Sequence, residues 1–361
     1  MEKQKNVVEI HDLWLSFKNP ANPKEINKVI RGASLKLKQG EILALIGESG
    51  SGKSVITSTL YGLTGDNSII EKGTIIVDGH EVQDFSNKKW ELSKLRGTTI
   101  SAVFQNPMTT LTPTMKVGKQ IMEGMLVNKL VKNKKEAKAK AIEYLKKTKI
   151  NNPELVMDMY PHQMSGGMKQ RVVIASIIAC QPKILILDEP TTALDPTVQA
   201  QILDIINDLT KEYNISVIFI THDLGVVASI ADRIAIMYAG QIVEYGTSDE
   251  VLWNSQHPYT WGLLLSTPDI NQGERLETIP GSAPANLNNI VGDAFAPRNE
   301  WAIGIDFEKE PPLFKISETH YAKTWLLDKR APKINVPKII LERRAAFKKE
   351  KRGKDGNNNK K

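Results

Sequence analysis

Apolar positions along the chain follow two patterns. Short, nearly unbroken runs occur at Ile42-Leu43-Ala44-Leu45-Ile46, Ile184-Leu185-Ile186-Leu187 and Ile215 to Ile220. Their length and continuity predict strands buried on both faces. Elsewhere apolar and polar residues alternate. Val8, Ile10, Leu13 and Leu15 do so imperfectly across 7–17, and Ala33, Leu35 and Leu37 lead to the turn Gln39-Gly40. Gly73 to Val77 closes at Asp78-Gly79, another strand and turn. Between the first two, the polar stretch Lys18 to Asn27 holds two prolines and predicts a hairpin loop. The start is therefore a small, mostly antiparallel sheet that feeds an α/β unit. Arg233 to Tyr238 and Gln241 to Tyr245 flank Ala239-Gly240, a hairpin signal.

Helical spacing takes over from about Asn87 to Ile178. Ala137, Ala141, Tyr144 and Leu145 fall at i, i+4, i+7 and i+8, one face of a helix whose other face is rich in lysine. Ser101 to Pro107 interrupts the block as a strand running into a loop. The pattern places an inserted helical lobe at about 87–178 within a domain spanning 1–252. Residues 253–340, rich in Pro, Asn and Trp, read as a separate loop-rich unit. The last residues, 341–361, read as a basic, disordered tail.

Composition narrows the class. At 361 residues the chain exceeds one ordinary core, and its 41% hydrophobic and 25% charged residues are those of a soluble globular protein. No run of eighteen apolar residues spans a membrane, and no apolar signal core follows Met1 to Lys5. One cysteine, Cys180, excludes an internal disulfide and suits a reducing compartment. The net charge of +7 is local, because residues 129–149 and 343–361 carry +7 each and leave the remainder at −7. A solvated face or tail is the first explanation, an anionic membrane surface the second and nucleic acid the third.

Chemistry enters at Gly47-Glu48-Ser49-Gly50-Ser51-Gly52-Lys53-Ser54, which follows the first buried strand and opens a helix. A glycine-rich turn at a helix N-terminus offers a nest of backbone N–H groups to a polyphosphate. Lys53 reaches the β/γ-phosphates and the Ser54 hydroxyl can ligate Mg²⁺. Downstream, Asp188-Glu189 and Thr221-His222-Asp223 end two buried strands, where parallel sheets bind ligands. Asp188 suits the Mg²⁺ of a bound nucleotide, and Glu189 can orient or deprotonate an attacking water. Ser165-Gly166-Gly167, between Met164 and Met168, begins another helix; Gly167 lies 22 residues before Glu189. That is a second anion site. The fold class is thus α/β: a P-loop NTPase core with an N-terminal antiparallel β subdomain, an inserted helical lobe and a loop-rich C-terminal extension.

With these motifs in this order, the chain resembles the ATP-binding-cassette family. Its signature is most familiar as Leu-Ser-Gly-Gly-Gln; here Met stands at both flanks. By that resemblance Phe17 stacks on adenine, Gln105 senses Mg²⁺ and water, and His222 contacts the γ-phosphate. Ala193-Leu194-Asp195 would cross to a partner ATPase. Ser165 to Gly167 would act in trans, completing the site of that partner. One chain then holds half of each of two sites at a dimer interface.

The C-terminal unit refines the resemblance. His257-Pro258-Tyr259-Thr260, Leu263-Leu264, Ile279-Pro280-Gly281, Phe295-Ala296-Pro297-Arg298 and His320-Tyr321-Ala322 look like the oligopeptide/dipeptide importer ATPases. Within that group the chain is similar to the D-type ATP-binding subunits of Gram-positive oligopeptide permeases. Many relatives carry four cysteines here that fit an iron–sulfur site. These positions read as Asp293, Asn299, Asp306 and Thr324, so no cluster is expected. The resemblance implies ATP and Mg²⁺, a second and non-identical ATPase, two transmembrane permease subunits and an extracellular peptide-binding protein. It places the chain peripherally on the cytoplasmic side of the cell membrane, with no nucleic-acid partner. Import of nickel or another small solute is an alternative. A soluble cassette ATPase of repair or translation is a weaker one, since no long coiled coil, zinc hook or second cassette is present.

Overall fold

The computed structural model describes residues 5–104, 110–191, 194–267 and 278–358. Among these the strands are β1 (Asn6–Lys18), β2 (Ile26–Lys38), β3 (Ile42–Ile46), β4 (Ser68–Val77), β5 (His80–Glu81) and β6 (Ile100–Val103). They continue as β7 (Ile184–Asp188), β8 (Ser216–Thr221), β9 (Arg233–Tyr238), β10 (Gln241–Thr247), β11 (Phe314–Lys315) and β12 (Tyr321–Ala322). One sheet has the order β2-β1-β4-β5 and is antiparallel. The other runs β11-β12-β10-β9-β3-β8-β7-β6. Its centre, from β9 to β6, is parallel, and β10, β12 and β11 add an antiparallel edge.

The apolar runs explain the centre. Every residue of β3 and β8 is buried, as are the first four of β7, which only sequences apolar on both faces permit. The small sheet buries one face, with Ile30, Ala33, Leu35 and Leu37 of β2 inward. β2 starts within the expected loop, because Asn19 N–H donates to Glu25 O (2.9 Å) and Glu25 N–H to Asn22 O (2.8 Å), closing a tighter turn.

The helical block starts later than the spacing predicts. Helix Asn87–Ser93 buries Trp90 in the core shared with β1 and β4, and β6 then enters the main sheet. The lobe proper runs from helix Val117–Val127 to helix Gly166–Ile178. Between them Lys134–Lys147 is capped by Asn133, which accepts Glu136 N–H (3.0 Å), and buries the predicted Ala137, Ala141, Tyr144 and Leu145.

Two expectations about the C-terminal part are corrected. Residues 253–340 are loop-rich but not separate. β12 pairs with β10, and Tyr259, Trp261, Phe295 and Ala294 share a core with Ile46, Ile236 and Tyr238 of the main sheet. Nor is the basic end disordered from residue 341, since it forms helix Lys338–Asn358. Ile340 is buried, and Arg343 and Arg344 donate to Leu252 O (2.8 Å) and Ser255 O (2.6 Å) at the end of helix Ser248–Asn254. Cations there satisfy last-turn carbonyls and favour the negative end of the helix dipole.

Glu244 of β10 ties the extension to the sheet. Fully buried, it accepts from Gln256 N–H (2.6 Å) and His257 N–H (3.1 Å) and meets His320 Nε2 at 2.8 Å. Glu244→Ala would leave two buried polar groups and the half-buried Gln256 N–H without their acceptor. We expect a loss of about 3–5 kcal/mol, seen in urea denaturation; an unchanged midpoint would contradict this role.

Candidate nucleotide site

The carboxyl ends of β3, β8 and β7 lie side by side, with β8 in the middle. Gly47 to Ser54 leaves β3 and runs into helix Lys53–Ser58. Two glycines here tolerate no side chain. A Cβ on Gly47 would stand 2.1 Å from the Met237 carbonyl oxygen. Gly52 has φ +105°, and a Cβ there would meet Ile30 and Met237 at 2.9 Å. The loop is thereby pressed onto β9 and β2, while Ser49 and Gly50 stay exposed. Ser51 is buried, and its Oγ has no partner among the described residues. A buried, unsatisfied hydroxyl in a glycine-rich loop fits a phosphate oxygen.

Lys53 is 7% exposed, and its Nζ donates to Gly47 O (2.7 Å) and Glu48 O (2.9 Å). Burial lowers its pKa, opposed by the nearby carboxylates of Glu189, Asp188 and Glu48. Asp188 is held above the ordinary carboxylate range, first by burial; the Ser54 hydroxyl that donates to it pulls the other way. These two hard oxygen donors fit Mg²⁺.

Glu189 has φ +47°, a left-handed backbone that is uncommon outside glycine, and its N–H donates to Ile220 O (3.0 Å). Its Oε1 is 3.3 Å from Nδ1 of His222 at the end of β8. Three strand ends thus assemble Lys53, Ser54, Asp188, Glu189 and His222.

Ser165, Gly166 and Gly167 belong to another element. Ser165 caps helix Gly166–Ile178, accepting Met168 N–H (3.3 Å), and both Ser165 and Gly166 are exposed. A Cβ on Gly167 would come within 2.8 Å of Val198. Val198 in turn donates its N–H to Asp195 (3.0 Å), the cap of helix Pro196–Tyr213. The two helix starts are locked together. Met164 is buried in the lobe core and Met168 packs against it, which accounts for the unusual flanks. Phe17, near the end of β1, is half-buried against the core that holds Ile56 and Leu60. Gln105 and Ala193 lie outside the described residues.

Sequence reasoning assigned no task to Tyr259 or Arg298. Tyr259 accepts the Glu48 N–H (2.9 Å), and Arg298 grips the Glu48 carboxylate with both terminal nitrogens (2.7 and 3.0 Å). Both residues stood in the stretches that resemble a family. A separation of 211 to 250 residues hides such contacts from any local pattern.

The four positions read against cysteine each accept a backbone N–H. Asp293 takes that of Phe295 (2.9 Å), Asn299 that of Trp301 (3.0 Å), Asp306 that of Ile303 (2.7 Å) and Thr324 that of Leu326 (3.3 Å). Oxygen acceptors fix these turns.

Strand ends equipped in this way handle a nucleoside triphosphate, and the class they define is that of P-loop ATPases. Comparison with known proteins agrees. The ABC transporter family model matches residues 30–192, and that of the oligopeptide/dipeptide transporter C-terminal region matches 243–303. The chain is 50% identical to the dipeptide transport ATP-binding protein DppD of Lactococcus lactis subsp. cremoris, covering 94% of this chain and 96% of that one. It is 49% identical to the oligopeptide transport ATP-binding protein OppD of Bacillus subtilis, covering 92% of each. Among solved structures, a dimeric ATP-binding cassette in a post-hydrolysis state with ADP and Pi superposes with TM-score 0.58 at 26% identity, over 67% of this chain and 98% of that one. The chain belongs to the ATP-binding-cassette transporter ATPases, in the group that carries the oligopeptide/dipeptide C-terminal region.

Burial, reinforced by Asp306, pushes the Asp293 carboxyl up to about 6. The folded chain then holds this proton more tightly than the unfolded chain, so stability is lost as pH rises from about 4 to about 6. Asp293→Asn keeps the acceptor without the charge. We expect it to raise the unfolding free energy by about 2–3 kcal/mol at pH 8, with the advantage fading towards pH 4. A difference independent of pH would rule this out.

Proposed function

We propose that this ATPase drives uptake of oligopeptides through separate membrane subunits. The observation that carries this is an oligopeptide/dipeptide-type C-terminal region packed directly onto the phosphate-loop side of the cassette. In this reading, ATP lies between two ATPase chains, and its binding and hydrolysis close and open the pair. Lys53 and N–H groups of the Gly47–Ser54 loop other than that of Glu48 hold the phosphates, while Phe17 stacks on the adenine. Ser54, Asp188 and Gln105 would hold Mg²⁺, which when bound neutralises charge developing on the phosphates.

Glu189 orients and deprotonates the attacking water, and His222, 3.3 Å from it, contacts the γ-phosphate. Ser165 to Gly167 of a non-identical partner would complete the site, and Asp195 would sit where the chains cross. Catalysis is then positioning and charge stabilisation. Among the described residues no helix is long and apolar enough to cross a membrane. Two transmembrane permease subunits would therefore supply the path, with the ATPase peripheral on their cytoplasmic side. An extracellular binding protein would deliver the peptide.

Glu189→Gln should lower turnover in the assembled complex by at least about 10²-fold and leave ATP binding within a few-fold of wild type. Near-normal hydrolysis would remove Glu189 from its role. The purified chain alone should hydrolyse ATP slowly, at a specific rate that rises with protein concentration. A fast, concentration-independent rate in a strict monomer would contradict the shared site. Peptide-dependent growth of cells lacking the chain, compared with nickel uptake, tests the cargo.

A further inference from the structure

Glu48 is an acidic residue in a loop that receives a polyanion, which makes its surroundings informative. Both oxygens of its carboxylate take a nitrogen of Arg298, at 2.7 and 3.0 Å. Its N–H donates to the Tyr259 hydroxyl (2.9 Å), and its carbonyl accepts from Lys53 Nζ (2.9 Å). One residue thus joins the C-terminal unit to the phosphate-binding lysine. Arg298 is itself fixed. It is 9% exposed, its Nε donates to Pro280 O (2.7 Å), and its terminal nitrogens reach Tyr238 Oη (3.3 Å) and Gly281 O (3.4 Å). Tyr238, Tyr259 and Phe295 pack mutually, with ring centroids 4.7 to 5.3 Å apart.

We propose that Arg298 is a positioning residue for ATP binding, with the C-terminal unit holding the phosphate loop in its anion-binding shape through the Arg298–Glu48 pair. Two physical effects act together. The bidentate fork fixes Glu48, and with it the carbonyl that orients Lys53, in a way a flexible ammonium cannot match. The guanidinium also neutralises a carboxylate that would otherwise repel the incoming phosphates at short range in a partly desolvated site. The C-terminal unit therefore sets nucleotide affinity as well as decorating the cassette. This inference rests on the ATP-site assignment above.

The test measures ATP binding to the full chain by titration calorimetry, KM and kcat in the assembled complex, and thermal melting of each variant. Arg298→Met should weaken ATP binding at least about tenfold, raise KM in parallel and leave kcat at saturating ATP within about threefold. Arg298→Lys should fall between Arg298→Met and wild type. Glu48→Gln should cost only a few-fold, and the double variant should resemble Glu48→Gln, because the uncompensated carboxylate is gone. Wild-type affinity in a folded Arg298→Met chain would overturn the proposal. So would a double variant whose loss is the product of the two single losses, since Arg298 would then act independently of Glu48. Should Arg298→Met fail to fold, Arg298→Lys and Glu48→Gln carry the test: wild-type affinity in both would overturn it. Failure of the wild-type chain to bind ATP would remove the site assignment along with the clamp.

Discussion

Three parts of this molecule meet at one backbone turn, and the site exists only because they do. Ala239 and Gly240, with φ of 45° and 79°, close the β9–β10 hairpin in the doubly left-handed form that matches strand twist. Gly240 N–H donates to Ser51 O in the phosphate loop (2.9 Å), and Gly240 O accepts Arg31 N–H from β2 (2.9 Å). A Cβ on Gly240 would stand 2.3 Å from Val29 O, so the approach of the two sheets is as close as backbone allows. Gly47 meets Met237 O on the same principle. The phosphate loop is thereby wedged between the main sheet and the small one. Its shape is a property of the whole cassette.

How far this could be read from the sequence depends on the range of the forces involved. β3, β7 and β8 were legible because burial on both faces forces apolar runs, and the ends of β7 and β8 bring Asp188, Glu189 and His222 to one side of the sheet. Ser165 acts within three residues, so the helix start it caps was legible too, whereas Asn133 and Asp195 cap their helices over the same short range without having been read as caps. β11 and β12 were not, since two residues carry no period and the pairing of β12 with β10, on which β11 then adds, is decided by distant chain. The last helix was misread for a similar reason. Its composition is that of a solvated tail, but Ile340 finds a core, and Arg343 and Arg344 find open carbonyls 91 and 89 residues earlier.

The C-terminal unit shows a related economy. Three of the four positions read against cysteine now use a side-chain oxygen to accept an N–H two residues ahead, and Asp306 reaches three residues back. Each turn is fixed locally. What integrates the unit instead is Glu244, which gathers Gln256, His257 and His320 onto β10, and the Tyr238–Tyr259–Phe295 packing beneath the loop. Burial lowers the His257 pKa to about 4, which keeps it neutral and lets Nδ1 accept the Tyr259 N–H (3.0 Å). Tyr259 then presents its hydroxyl to Glu48. A polar chain runs from the sheet edge to the phosphate loop.

The surroundings of Lys53 explain how the phosphate loop holds its shape. Its ammonium is nearly buried, yet both carbonyls it donates to belong to the loop that must later cradle phosphate. The cost of burying the charge is met locally, so no nucleotide is needed to hold the loop together. Phosphate oxygens can take over the remaining donor capacity of an ammonium that is already aimed and desolvated. Because Glu48 supplies one of those carbonyls, the residue that steadies Lys53 is the one the C-terminal unit grips. The clamp proposed for Arg298 would in this way govern how readily the cassette accepts ATP.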